Sequence, residues 1–348
     1  MKSPIKLGLV RCDTHAYHFI SMLQKCNVDM LRRRDHCSYH YFQDVWTEEL
    51  SKKPHIPGFV LAKIWDKDHR RAVEFAETFY NVPQICRSLE EVAEGIDAVF
   101  IADCDLDGND HLELVRPFIK RRVPTFLDKM LAFNLSDAVE IVRLAKKSHT
   151  PLFSASSLSF VPVADLFVKR FPEIGRVGLG IVKNCGCALS QDNLGGRGCS
   201  FVTEEQTWPY VVHGISLALH IFGYGIEWVR CMGSLPWEYL LLHLANGREV
   251  LVINTSFELF SESFDLYAHA YSNLGVLNCP AIGDPQYIPG AARILENFKK
   301  MILTGKQPLS WAQQLEVMEI MEAGRVAQRN GKQIYLKDIR KKYSVKKR

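Results

Sequence analysis

AVFIA at residues 98–102, LELVRPFIK at 112–120 and TFL at 125–127 are the stretches whose reading decides the fold. The first and third are short, continuous apolar runs. The stretch between them repeats its apolar residues at helical spacing. A strand, a helix and a second strand of this kind form a parallel pair joined by a crossover and covered on both faces. The alternation extends outward from there. Upstream, Ile5 to Val10 and Phe59 to Ile64 read as strands, with helical patterns over His18 to Gln24 and Arg70 to Tyr80. Downstream, Ser136 is expected to cap a helix with Ala138, Ile141, Val142 and Ala145 on one face, and Leu152 to Ala155 closes the series. The expected fold class is α/β, with a Rossmann-type doubly wound parallel sheet over residues 1–150.

From Val161 onward the apolar runs become longer and richer in β-formers, as in Val250 to Phe260 and Asp265 to Ala270. Two late helices are expected, Ala291 to Leu303 and Leu309 to Arg329. Residues 151–348 therefore read as an α+β domain. Between the first helix and the second strand lies an insertion, Asn27 to Pro57. It holds Arg32, Arg33, Arg34, Tyr39, Phe42 and Trp46. So long a connection is either functional or disordered, and its aromatic content argues against disorder. It is expected to be a flap over a ligand or a contact between subunits.

At 348 residues the chain suits two domains. Hydrophobic residues make up 47% and charged residues 24%, which excludes a disordered chain. Lys and Arg number 43 against 39 Asp and Glu, and this small excess gives no ground for nucleic acid or anionic membrane as a partner. Ten cysteines without a Cys-x-x-Cys pair read as reduced thiols in the cytoplasm. Ile5 to Val10 is broken by Lys6 and is too short for the core of a signal peptide. Trp208 to Val229 carries His213, His220 and several Gly and Pro residues, so it reads as buried helix rather than a span.

Ligands of a doubly wound sheet sit at the carboxyl ends of its strands. That edge holds Arg11, Cys12, Asp13, Thr14 and His15, then Asp66, then Asp103 to His111, then Asp128 and Lys129. Asp66 ends the second strand, either to accept ribose hydroxyls of a dinucleotide or to cap the following turn. Lys129 can hold a substrate hydroxyl or relay a proton, or it is a surface lysine paired with Asp128. Asp103 to Gly108 imitates the start of a calcium loop, but Leu114 stands where that loop needs a carboxylate. Asp13 and His15, with Asp103, Asp105 or His111, could instead open a metal-dependent hydrolase site. His213 is the general acid/base candidate of the second half, unless it is a core histidine.

Several of these passages together resemble the glucose-fructose oxidoreductase and inositol dehydrogenase (Gfo/Idh/MocA) family. Ala98 to Ala102 with His111 is similar to that family's strand and following His. Leu127-Asp-Lys129-Met-Leu-Ala132 is similar to its Glu-Lys-Pro-Leu-Ala signature, and His213 with Gly223 resembles its His, helix and Gly. Leu309 to Gln333 looks like the closing helix and strand. The resemblance implies NAD or NADP as cofactor, a second domain with a largely antiparallel sheet, and hydride transfer from a sugar or polyol hydroxyl. Lys129 and His213 would be catalytic and would converge on one pocket. Arg11, Cys12, Asp13, His15, Asp66, Asp103, His111 and Asp128 would line the cofactor. The expected partners are a small sugar or polyol and further copies of the chain.

The match has departures. The family's Gly-x-Gly-x-x-Gly falls on Arg11-Cys-Asp13-Thr-His-Ala16, and its acid before the His falls on Pro209. Its Asp after the His is Ser216, and its signature proline is Met130. Three readings stay open: a nicotinamide-dependent oxidoreductase, a relative that binds a carbohydrate or nucleotide without turnover, and a metal-dependent hydrolase.

Overall fold

The computed structural model describes residues 3–40, 54–104, 108–187, 204–234, 237–257 and 266–344. The chain divides into two units. One comprises Met1–Phe133, Asp137–Ala155 and Ala291–Ser310; the other comprises Asn134–Ser136, Ser156–Gly290 and Trp311–Arg348.

The elements run, in chain order, β1 (Ile5–Val10), α1 (Thr14–Ile20), α2 (Val28–Arg34), α3 (His36–Tyr39), β2 (Phe59–Trp65), α4 (His69–Thr78), β3 (Gln84–Ile85), α5 (Leu89–Val92), β4 (Ala98–Ile101), α6 (His111–Lys120), β5 (Thr125–Leu127), α7 (Leu135–Ser148) and β6 (Leu152–Ser154). The six strands form one parallel sheet in the order β3-β2-β1-β4-β5-β6, the doubly wound arrangement.

Its core is aromatic. Phe100, Phe126 and Phe153 stand level on β4, β5 and β6, with centroids 4.9 and 5.0 Å apart. Phe19 of α1 meets the first two, and Phe298 meets the last two. Phe298 explains why a late stretch of chain belongs to the first unit. Lys299 adds a hydrogen bond to the Pro57 carbonyl at 2.5 Å.

Several helix boundaries differ from the sequence reading, among them the late helix expected from Ala291, which begins at Asp284. The first helix starts at Thr14 rather than His18, because the Asp13 side chain caps it by accepting the Ala16 N–H at 3.1 Å. The helix over 135–148 begins one residue before Ser136, which therefore lies inside it rather than at its cap.

The described part of the insertion folds back onto its own unit. Asp35 accepts hydrogen bonds from Thr14 (2.9 Å) and the Ser38 N–H (3.2 Å). Arg34 binds Glu77 and Thr78 at the end of α4, so one of the three arginines is spent on the scaffold. Tyr41, Phe42 and Trp46 lie outside the described residues.

The second unit contains α8 (Pro162–Lys169), β7 (Leu179–Cys187), α9 (Glu204–Phe222), β8 (Ile226–Ser234), β9 (Trp237–Leu244), β10 (Glu249–Phe257), β11 (Tyr267–Ser272) and β12 (Gly275–Asn278), then α10 (Asp284–Thr304), whose second half joins the first unit, α11 (Trp311–Asn330), β13 (Ile334–Tyr335) and α12 (Leu336–Ser344). Its sheet runs β12-β11-β7-β10-β9-β8-β13 and is antiparallel except between β7 and β10. Helix α9 packs on β7 and β10, and α11 packs on β8. The architecture is the expected pairing of a parallel α/β sheet with a largely antiparallel one. No helix among the described residues is long and apolar enough to cross a membrane.

Candidate functional site

The carboxyl ends of β1, β2, β4 and β5 bring eight of the expected residues and Lys129 into one hydrogen-bonded region. The turn after β1 begins with Arg11 at φ +68°, the left-handed backbone that favours glycine. The turn thus takes a left-handed residue without a glycine. The Arg11 side chain binds Asp110 and lies 3.4 Å from Asp103. Burial opposes its charge, but Asp103, Asp110 and Asp13 outweigh burial and raise its pKa.

Cys12 donates its N–H to Asp66 at 2.7 Å, while the other Asp66 oxygen accepts the Asp68 N–H at 2.8 Å. Asp66 therefore braces two backbone turns. The Cys12 thiol is buried, and burial with Asp66 and Asp13 nearby pushes it well above the usual thiol range. It is an inert core group.

Asp13 is 3% exposed. Besides capping α1 it accepts the Cys104 N–H at 2.6 Å. His15 binds the Asp128 carboxylate through Nδ1. Burial works against the protonated ring, yet Asp128 and Cys104 hold His15 well above the ordinary imidazole range. Asp128 itself is buried, which disfavours its charge. His15 and Lys129 reverse that and hold it below the usual carboxylate range.

Asp103 accepts the Gly108 N–H at 2.6 Å and lies 3.2 Å from His111 Nε2. Burial would raise its pKa, but His111, Arg11 and the Gly108 N–H hold it well below the ordinary range. The His111 Nδ1 faces the Leu131 carbonyl at 3.3 Å. Gly108 (φ +82°) is forced: a Cβ there would stand 2.9 Å from the Ala132 carbonyl carbon. This close approach presses the loop after β4 against the segment that carries Lys129.

Lys129 is 6% exposed, which overturns its reading as a surface lysine. Its N–H donates to Asp128 at 2.8 Å, and the Lys129–Met130 peptide is cis. His213 belongs to the other unit, on α9. Its Nδ1 is 2.8 Å from the hydroxyl of buried Ser156, which also accepts the Leu158 N–H at 3.1 Å. Gly214 beside it lets the helix approach the sheet, since a Cβ would sit 2.8 Å from Asn184 Cβ and Val252 Cγ1.

Sequence reasoning covered Cys104 and Asp110 only as members of the stretch Asp103 to His111, with no role given to either, and it missed Ser156, which carried no signal. Asp105, offered as a metal ligand, lies outside the described residues. Among the described residues no three His, Cys, Asp or Glu side chains are grouped to hold a metal ion.

Comparison with known proteins follows the same lines. The model of a family described as "Oxidoreductase family, NAD-binding Rossmann fold" (Gfo/Idh/MocA) matches residues 41–156. No curated protein sequence matches the chain. Among solved structures, myo-inositol dehydrogenase from Lactobacillus casei, in complex with NAD(H) and myo-inositol, aligns with a TM-score of 0.72 at 12% identity, covering 95% of this chain and 96% of that one. An oxidoreductase from Agrobacterium radiobacter in complex with NAD+, L-tartaric acid and magnesium aligns at 0.69 and 16%, covering 97% and 100%. A myo-inositol dehydrogenase from Corynebacterium glutamicum aligns at 0.69 and 15%, covering 96% and 99%. At these identities the likeness is one of fold.

Proposed function

From the match of residues 41–156 to the Gfo/Idh/MocA oxidoreductase family model, we propose that this protein binds a small, neutral sugar or polyol at the carboxyl edge of its parallel sheet. On this reading it does so without seating a nicotinamide dinucleotide in the usual way.

The observation that carries the proposal is Asp13. A dinucleotide lays its pyrophosphate over a glycine turn and the following helix N-terminus, which attract negative charge. Here a buried carboxylate already occupies that position and takes the Ala16 and Cys104 N–H groups. Arg11, at the start of the turn, is committed to Asp103 and Asp110. Around the turn the carboxylates of Asp13, Asp66, Asp103, Asp110 and Asp128 outnumber the cations Arg11, His15, Arg71 and Lys129. These residues do not fit a pyrophosphate.

Neutral hydroxyls suit the same surroundings better. Carboxylates accept from them, and lysine and arginine donate to them, with no like-charge repulsion. Lys129, buried beside Asp128, would hold one such hydroxyl. Titration calorimetry with myo-inositol, other polyols and sugars, and separately with NAD(H) and NADP(H), tests the reading. A polyol should bind and lose at least about tenfold in affinity in Lys129→Ala, the loss of one hydrogen bond to a charged group. Micromolar saturation by a dinucleotide would overturn it.

A second reading, oxidation of a polyol hydroxyl with NAD as hydride acceptor, is favoured by the Ser156–His213 hydrogen bond. It orients the imidazole as a general acid/base needs. Asp66 would then prefer NAD, since its carboxylate repels a 2′-phosphate. Appearance of reduced-nicotinamide absorbance with a polyol, abolished in His213→Ala, would establish this reading instead.

The protein is further proposed to self-associate through the second unit's sheet, whose uncovered face presents Trp228, Tyr239, Leu241, Leu251 and Ile253 half-exposed. Light scattering after size exclusion measures this directly. Among the described cysteines, Cys12, Cys26, Cys37, Cys86, Cys104, Cys231 and Cys279 are in no disulfide, which suits the cytoplasm.

A further inference from the structure

We infer that Cys104, His15 and Asp128 form a nucleophilic thiol–imidazole–carboxylate array, with Cys104 able to add to the carbonyl carbon of a small aldehyde or ketone. The three residues come from three strand ends: His15 from the turn and helix after β1, Cys104 from the end of β4, and Asp128 from the end of β5. Each link has its partner. Asp128, 2% exposed, grips His15 Nδ1, and its oxygens also accept the Asp103 and Lys129 N–H groups, so the carboxylate cannot swing away. Asp128 Oδ2 takes both His15 Nδ1 and the Asp103 N–H, so Cys104, the next residue, stands beside the same imidazole. The Cys104 backbone is fixed by its N–H bond to Asp13 at 2.6 Å. A nucleophile within reach of a base that a third group orients is the signature of an activated side chain.

Burial separates Cys104 from its neighbours. Cys12, one strand away, is closed off from solvent, whereas Cys104 is partly exposed at the sheet's ligand edge. The charged groups around the pair are Asp128, Asp13, Asp103 and Asp35 on the acidic side, and Arg11 and Lys129 on the basic side. Asp128 favours a protonated His15, and the charge of that imidazolium offsets the carboxylates that would otherwise disfavour a neighbouring thiolate.

The chemistry balances without an oxidant. With the thiol proton resident on His15, the sulfur lone pair forms a C–S bond to the carbonyl carbon. The C=O π pair moves onto oxygen, and the imidazolium proton passes to that oxygen. The product is a hemithioacetal beside a neutral imidazole, and Asp128 holds the ring throughout. The assignment is independent of the polyol reading, because it is read out with reagents that need no polyol binding.

Alkylation of the full-length protein by iodoacetamide, followed by mass spectrometry of the Cys104 peptide, tests it. In the native protein Cys104 should already be labelled near pH 6.5, at a rate at least about tenfold above that of a free thiol with its usual pKa of about 8.5. His15→Ala and Asp128→Asn should return its labelling to the ordinary thiol profile. Glycolaldehyde should slow labelling of Cys104, and ethylene glycol should not. If native Cys104 labels with the profile of an ordinary thiol, or glycolaldehyde gives no protection, the array is not a nucleophilic centre. The native pH profile decides this even if neither variant folds.

Discussion

Asp13 and Cys104 lie 91 residues apart in the chain, yet the Asp13 carboxylate accepts the Cys104 backbone N–H at 2.6 Å. The bond ties the turn after β1 to the turn after β4, the two turns between which a doubly wound sheet opens its ligand crevice. One side chain thus caps α1 and fixes the backbone of Cys104.

Replacing that carboxylate should separate these roles. Asp13→Gly restores the residue type that a pyrophosphate turn uses and removes a negative charge. NAD(H) affinity, by calorimetry, should rise at least about tenfold, equivalent to about 1.4 kcal/mol. Stability in a urea titration should fall by about 1–2 kcal/mol, from loss of the cap and the bond to Cys104.

The pH dependence follows from two opposed shifts. Asp103 is held below the ordinary carboxylate range, so its contribution is complete above about pH 4 and is lost only as pH falls through the lowered value. His15 is held above the ordinary imidazole range. Its contribution is complete below about pH 6.5 and is lost as pH rises through the raised value. Urea midpoints should therefore decline from neutral pH into the alkaline range. Asp128→Asn should flatten that decline and lower stability at neutral pH by about 1–3 kcal/mol. An alkaline decline unchanged in Asp128→Asn would refute this account.

Gly108→Ala puts a Cβ against the Ala132 backbone at a positive φ. Neither neighbour is a flexible side-chain end, so the loop must shift. A loss of more than about 1 kcal/mol is expected. Polyol affinity should fall too, because Ala132 and Lys129 share one segment.

Phe126→Ala empties the middle of the row formed with Phe100 and Phe153. The cost should be about 3–5 kcal/mol by denaturant unfolding. The substitution lies in the sheet core, so it should act on stability before it acts on Cys104 labelling.

The parallel sheet was legible because its strands are continuous apolar runs set between helices with clear periodicity. Ala98 to Ala102 and Thr125 to Leu127 are examples. The antiparallel sheet was harder to read. β8 contains Glu227 and Arg230 and follows an apolar helix closely, so its two-residue alternation was hidden in what looked like one helical stretch. Helix α1 was read four residues late because its first turn, from Thr14, lies in the stretch that was taken as a ligand-binding turn. At the site, residue types at strand ends pointed to the right edge of the sheet. What they could not convey was pairing: that Arg11 is spent on Asp103 and Asp110, that His15 leans on Asp128, or that Cys104 completes an array with them. Such links join turns that are distant in the chain, and only the strand order brings them together.

The place of Phe298 has a consequence for how the molecule is made. A ribosome that has released residues 1–155 has delivered every strand of the parallel sheet. The aromatic row on β5 and β6 still lacks Phe298, the ring that covers it. More than a hundred further residues must emerge before Ala291–Ser310 arrives. During that interval the nascent chain presents Phe126 and Phe153 to solvent and to chaperones, so the first unit matures only near the end of synthesis.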